Sequence, residues 1–332
     1  MVRVLFSWYM ASGEKISASL YAAIIGDALG VPVESSSRQQ LALASVKNML
    51  GYGRYDQPEG TWSDDSSMIL CTMESLCGGY NIDDLGAIFC KWLFEGYWTP
   101  TGFVFDAGLT TFMALESIRS DRKSARSSGC TSEDDNGNGS LMRILPAALY
   151  FAAETPHTFL HYIHEISAIT HAHPRAKIGC GIYSLLIRAL LNQDDKNDAY
   201  RRAVADALAC YEPDETLKPE LKHYARILSH QLPALKIDDI RSSGYVVHTL
   251  EAAVWCFLRN DDTKGCLLDA VNLGLDTDTT GTVAGGLAGL YYGIDSLPAE
   301  WIAKLARKDE IDACIARFVA IVRARLDEGE RA

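Results

Sequence analysis

A run of ten small and apolar residues near the C-terminal end, Val283-Ala284-Gly285-Gly286-Leu287-Ala288-Gly289-Leu290-Tyr291-Tyr292, most constrains how this chain can fold. Such a run reads as a buried helix packed tightly against another element. Directly before it stands Gly274-Leu275-Asp276-Thr277-Asp278-Thr279-Thr280-Gly281. Two carboxylates and a hydroxyl where the chain turns into an apolar helix form a hard-oxygen set, which suits Mg²⁺ or Mn²⁺ and suits zinc or copper poorly. A plainer account is helix capping, since Asp is a favoured N-cap and sits well at the positive helix end. One cap explains one Asp, not two with neighbouring threonines. It also leaves unexplained a second cluster, Ser63-Asp64-Asp65-Ser66, standing before another apolar helical stretch at 68–76. Carboxylates brought together repel and raise one another's pKa, and a cation between them removes that cost.

The remaining pattern is helical from end to end. Windows at 16–25 (ending at Gly26), 82–94, 112–118, 159–169, 178–191, 200–210, 221–232, 249–258, 264–273 and 301–325 carry helical periodicity, and alternating strand patterns are scarce. With 332 residues, 48% of them apolar, a large core is available. The expected architecture is one all-α domain, a single compact multi-helix unit whose acidic and glycine-rich helix entrances converge on one side. The formal charge of -12 and the lack of a basic stripe argue against binding a nucleic-acid backbone. Nine cysteines without CxxC spacing read as reduced, core-packing thiols in a cytoplasmic protein. No apolar run reads as long enough to span a bilayer, and residues 1–13 read as a short N-terminal extension, not a signal peptide.

Several loops carry candidate chemistry. Gly26-Asp27-Ala28-Leu29-Gly30-Val31-Pro32-Val33-Glu34 places Glu34 on a loop over a site, and Asp106 is an acid at a third helix entry. Residues 119–136 are polar and mixed in charge, and read as a mobile surface loop. Gly137-Asn138-Gly139-Ser140, before the apolar stretch from Leu141, reads as backbone N–H groups at a helix N-terminus, a site for a phosphate or pyrophosphate. It is neither a dinucleotide-binding GxGxxG nor a Walker A. His171 and His173 lack a further ligand at zinc spacing. A packed histidine or an aromatic wall for a base or ribose are the two readings, and Gly244-Tyr245 is a second place where a ring reaches a pocket.

Together the pieces GDALGVPVE (26–34), TWSDDSS (61–67), FDAGLTT (105–111), GNGSLMRILP (137–146), THAHP (170–174) and LDTDTTGTVAGGLAGLYYG (275–293) resemble the ADP-ribosylglycohydrolase family, in the family's order and over nearly the whole chain. The resemblance implies an all-α domain over 14–332 with a dinuclear Mg²⁺ or Mn²⁺ centre that removes ADP-ribose from modified proteins, with arginine-linked modification the first expectation. The implied metal ligands are Ser63, Asp64, Asp65, Asp276, Asp278 and Thr279. Asp64, Asp65 or Asp278 would take the proton from water, with Glu34 assisting the leaving group or gating entry. Gly137, Asn138, Gly139 and Ser140 would cradle the diphosphate, with His171 beside the ADP-ribose and Asp106 bordering the ribose. The chain departs from the family at Ser63, where Thr is usual, and at Leu275, where Gly is usual; residues 1–12 have no counterpart. The alternatives are an immunity-type hydrolase that neutralises an ADP-ribosylating toxin, with the toxin as partner, and a non-catalytic ADP-ribose-binding module.

Overall fold

The computed structural model of the chain describes residues 2–192 and 195–329. In order the helices are α1 (Val2–Gly30), α2 (Arg38–Leu43), α3 (Asp64–Cys77), α4 (Ile82–Glu95), α5 (Leu109–Asp121), α6 (Leu145–Tyr150), α7 (Pro156–Ala168), α8 (Pro174–Asn192), α9 (Lys196–Tyr211), α10 (Ala225–Leu228), α11 (Val246–Arg259), α12 (Thr263–Asn272), α13 (Thr277–Tyr292), α14 (Ala299–Lys304) and α15 (Lys308–Gly329). Among the described residues no strand is formed. Only isolated bridges occur, Tyr52–Gln57, Cys130–His171 and Gly137–Tyr245. The all-α, single-domain expectation holds.

The small-residue run forms most of α13, every residue of which from Thr277 to Leu290 is buried. Its neighbour is α1, and the two run antiparallel with their backbones almost in contact. A methyl group on Gly26 would fall on the carbonyl of Gly281, and on Gly285 and Gly289 it would fall on the carbonyls of Ala22 and Ala18. Glycine is used at these points because only a missing Cβ lets two helix backbones approach so closely. Hydrogen bonds stitch both ends of the contact, Ser19 Oγ to the Gly286 carbonyl at 2.7 Å and Thr277 Oγ1 to the Gly30 carbonyl at 2.8 Å. Around this pair a continuous core gathers Trp62, Trp92, Trp301, Phe89, Phe159, Phe257 and Phe318, all fully buried.

Five expectations need correction. The helix expected at 16–25 does not end at Gly26 but runs from Val2 to Gly30, because Gly26 is a packing glycine and not a terminator. The expected extension forms the first part of this helix, with Met1 outside the described residues. Residues 13–33 are long and apolar enough for a membrane span, contrary to the sequence reading, but 78% of that window is buried in the fold, so packing against α13 accounts for its apolarity. The helix expected over 221–232 is a 3-10 segment, Lys218–Tyr224, followed by the single turn of α10. The helix expected over 301–325 is broken into α14 and α15 by Arg307, in the left-handed region at φ 52°, where Ala306 N–H instead bonds the Gly60 carbonyl at 3.0 Å. The polar 119–136 loop holds two 3-10 turns, Ala125–Ser127 and Glu133–Asp135, and Glu133 pairs with the buried Arg175 at 3.0 Å. The nine cysteines are unpaired thiols, as expected.

Overpacking a tight core contact costs about 1–3 kcal/mol, and a backbone-to-backbone contact cannot relax by a rotamer change. Gly281→Val should therefore lose about 3 kcal/mol of unfolding free energy, read by urea denaturation, whereas Gly78→Ala, at φ -85° with its nearest neighbour at an ordinary 3.4 Å, should lose far less.

Candidate active site

The antiparallel contact brings the end of α1 beside the start of α13, and the catalytic candidates lie there. Asp27, in the last turn of α1, is fully buried. Its carboxylate accepts hydrogen bonds from Ser63 N–H (3.0 Å to both oxygens), Ser66 N–H (2.9 Å) and Ser66 Oγ (2.6 Å). Ser63 is the N-cap of α3, its Oγ accepting from Asp65 N–H at 3.3 Å. The first turn of α3 is thus clamped twice, by its own cap and by an acid from α1. The result turns Asp64 into a cavity and Asp65 back towards α13, where its oxygens accept from Thr279 Oγ1 (3.3 Å) and Thr282 Oγ1 (2.9 Å).

Asp276 occupies the N-cap position of α13, yet its side chain makes no capping bond. Capping therefore does not account for it. Oδ2 instead accepts from Asn138 Nδ2 at 2.9 Å, and Oδ1 is buried with no hydrogen-bond partner. Asp278 Oδ1 accepts from Thr279 N–H at 3.0 Å. Leu275, before Asp276, stands at φ 63° and is locked by two backbone bonds to the loop after α1, its N–H to Ser36 O and its carbonyl from Ser35 N–H, both 2.7 Å. This two-bond clasp fastens the Glu34 loop to the Asp276 loop.

The cavity has a volume of about 260 Å³, and five carboxylates line it: Glu34, Asp64, Asp106, Asp276 and Asp278. Glu34, Asp106 and Asp278 each offer an oxygen within 4.8 Å of the others. Tyr55 O–H reaches both Glu34 Oε2 and Asp106 Oδ2, at 3.0 Å to the latter, so one phenolic proton bridges two acids. Among the described residues none of the five forms an ion pair; Arg54 is the cation whose charge acts on Glu34 and Asp106. Burial, above all, pushes these groups up, to about 7 for Glu34 and about 6 for Asp27 behind them. Asp64 and Asp278 rise well above the ordinary carboxylate value, first by burial and then by repulsion from neighbouring acids.

The rest of the lining includes Gly137, Asn138, Gly139, Met142, Thr111 and His171. The glycine segment is not at a helix N-terminus as expected. Gly137 to Ile144 is a series of turns, and α6 begins only at Leu145. The segment is held by Asn138 N–H to Gly244 O (3.0 Å) and Val246 N–H to Asn136 O (3.0 Å). His171 is buried, its Nδ1 2.8 Å from Thr170 Oγ1, which also accepts from the fully buried Arg143 at 2.8 Å. Burial and the Arg143 charge lower the His171 pKa to about 3, so the ring is neutral. With the Thr170 proton directed at Nδ1, the ring presents Nε2–H beside Gly137 and Gly139. Thr111 Oγ1, like Asp276 Oδ1, is a buried oxygen without a partner.

Of the residues singled out from the sequence, Glu34, Asp64, Asp106, Gly137, Asn138, Gly139, His171, Asp276, Asp278 and Thr279 line one cavity. Ser63 and Asp65 lie behind it. Ser140 faces the core, its Oγ 3.3 Å from Cys180 Sγ and accepting from Ser167 at 2.9 Å. The Asn138 amide is directed at Asp276 and Thr249. The sequence alone assigned no role to Tyr55, Thr111, Arg143 or Asp27. Tyr55 lies outside every motif, whereas Thr111 closes FDAGLTT (105–111) and Arg143 stands in GNGSLMRILP (137–146), where an Arg in an apolar stretch is a signal in principle, since an unpaired buried Arg is rare.

The model of the ADP-ribosylglycohydrolase family matches residues 10–328. The chain belongs to this family. ADP-ribosylarginine hydrolase Tri1 of Serratia proteamaculans is 30% identical over 300 residues, covering 90% of this chain and 77% of that protein. The ADP-ribosyl-[dinitrogen reductase] glycohydrolase of Rhodospirillum rubrum is 30% identical over 304 residues, covering 88% and 92%. A solved structure described as an ADP-ribosylglycohydrolase-related protein complex superposes with a TM-score of 0.78 at 26% identity, over 94% of this chain and 99% of that one. The family is one of ADP-ribosyl hydrolases, and its members typically bind divalent metals. The residues here fit such ions: the acids offer hard oxygen donors, none of them forms an ion pair among the described residues, and Asp276 Oδ1 is buried without a partner.

A carboxyl whose pKa is raised by folding favours the folded state when protonated, so its stabilisation is present at low pH and is lost as pH rises. For Asp27 and Glu34 that loss falls between about pH 4 and about pH 7. The chelated protein should accordingly show a Tm that drops across this window, and Mg²⁺ or Mn²⁺ should restore it most at the upper end. Thermal melts with chelator and with metal at each pH check this.

Proposed function

We propose that the protein is a divalent-metal-dependent hydrolase that releases ADP-ribose from modified proteins, with arginine-linked ADP-ribose as its substrate. The observation that carries the reading is the cavity itself, lined by five carboxylates without an ion pair among the described residues, together with a neutral imidazole and a glycine turn. Relatives named as ADP-ribosylarginine hydrolase and as ADP-ribosyl-[dinitrogen reductase] glycohydrolase, both 30% identical, support the linkage.

Asp64, Asp276, Asp278 and Thr279 would hold the metals from the cavity, with Ser63 and Asp65 behind them. When bound, two such ions supply alignment of the ribose hydroxyls and a water of lowered pKa. Breaking the bond at ribose C1″ passes through an oxocarbenium-like state, which surrounding carboxylates stabilise. Asp64 and Asp278 face the cavity, whereas both oxygens of Asp65 accept from threonines, which favours the first two as the base. Glu34, raised to about 7 and bridged to Asp106 by Tyr55, is protonated often enough near neutrality to assist departure of the leaving group. Asp106 borders the ribose, and His171 Nε2–H with the Gly137–Gly139 backbone takes the diphosphate as neutral donors. At about 260 Å³ the cavity holds this end of the molecule, and the adenosine extends beyond it.

The deciding experiment measures free ADP-ribose released from an arginine-linked and a serine-linked substrate with Mg²⁺, with Mn²⁺ and with chelator. Metal-dependent release from the arginine-linked substrate is expected. Asp276→Ala should abolish turnover while far-UV circular dichroism stays unchanged; full activity in that variant would overturn the metal assignment. Binding of ADP-ribose without release from either substrate would favour a binding module.

A further inference from the structure

Beside the catalytic cavity lies a larger groove of about 820 Å³, lined by Arg38, Ile237, Ile240, Arg241, Leu273 and Leu275 among others. The two spaces meet along a ridge. Leu275 lines the groove and Asp276 the cavity; Ser243 lines the groove and Gly244 the cavity. The two spaces therefore share a wall at these two pairs of adjacent residues.

Three observations set what the groove takes. Its surface is apolar where it is exposed, with Ile237 47% and Leu275 48% accessible, more than isolated apolar residues need explain when they flank one groove. Leu275 holds φ 63°, a conformation that disfavours residues with a Cβ, and the clasp to Ser35 and Ser36 fixes it there. The leucine side chain is thereby kept on the ridge, where a glycine would leave a gap. The charge is locally reversed in a chain of net -12: Arg38 binds the carbonyls of Leu273, Ile237 and Ile240, Arg241 is exposed, and among the described residues neither guanidinium forms an ion pair. Asp238 is the one carboxylate lining the groove.

We propose that this groove seats the polypeptide of the modified protein itself, an extended segment that is apolar with an acidic residue, flanking the ADP-ribosylated side chain. The modified side chain crosses the Leu275 ridge, placing its ribose among the carboxylates while the flanking residues contact Ile237 and Arg241. The inference rests on the hydrolase reading above. It adds a determinant for protein over small-molecule substrates, located outside the acidic centre.

The test compares an ADP-ribosylated protein with free ADP-ribosylarginine, using the full chain with Mg²⁺ or Mn²⁺ and the double variant Ile237→Asp/Arg241→Glu. Both side chains are exposed, and the melting temperature confirms that the variant folds. The variant should lose about tenfold or more in kcat/KM on the protein and keep its efficiency on ADP-ribosylarginine. Unchanged efficiency on both substrates would overturn the groove and leave the hydrolase reading standing, and an equal loss on both would reduce these residues to a structural role. A change in oligomeric state by sedimentation, with substrate preference retained, would assign the groove to a second copy of the chain and overturn the proposal. Failure of the unaltered protein to cleave either substrate would overturn the hydrolase reading first, and the proposed occupant with it.

Discussion

Everything in the site depends on the backbone contact between α1 and α13. Glycines at 26, 281, 285 and 289 let the two helices run against each other with carbonyls where side chains would normally stand. Because they are antiparallel, the loop leaving α1 and the loop entering α13 end at the same place. Glu34 and Asp276 are more than two hundred residues apart in sequence and become neighbours through that packing alone. The clasp between Leu275 and Ser35–Ser36 then fixes their register.

Onto that frame the chain assembles carboxylates that repel one another. The cost is met in part by geometry: most of these acids are oriented by a donor on a different element. Asp27 is satisfied by the start of α3, Asp65 by two threonines of α13, Asp276 by Asn138, and Glu34 with Asp106 by Tyr55. What these bonds leave over is a cavity face of net negative charge with one oxygen of Asp276 unpartnered. A site built this way is strained without cations and relieved by them. The glycine turn and His171 add no formal charge to the lining, since burial and Arg143 keep His171 neutral.

The groove beyond Leu275 differs again, being apolar with an excess of guanidinium. Three surfaces of distinct chemistry meet along a few residues of loop. The loops are short and held by backbone bonds at 2.7–3.0 Å, among them Asp276 N–H to Ser242 O, so their relative placement is rigid. Rigid placement is what binding and turnover at one site require.

The acidic motifs were legible from residue type and spacing, because hard oxygen donors at helix entrances mean much the same in any fold. Helix content was legible too, from periodicity and the lack of alternation. Helix ends were less so: Gly26 looks like a terminator until the partner helix shows it to be a contact point, and 218–228 and 305–307 break because of neighbours distant in sequence. The roles of Tyr55, Thr111 and Arg143 were not legible, since a phenol bridging two acids, an orphaned hydroxyl and a buried guanidinium acquire meaning only from what surrounds them. Ser140, grouped with the glycine turn by sequence, faces the core because the turn's hand sets side-chain direction. The sequence by itself determined which chemistry was available, hard carboxylate oxygens and small helix-packing residues, since these are properties of side chains. Only the tertiary structure decided which acids face one cavity, which are screened by threonines, and that an apolar groove adjoins them, because those depend on how close two helix backbones can come.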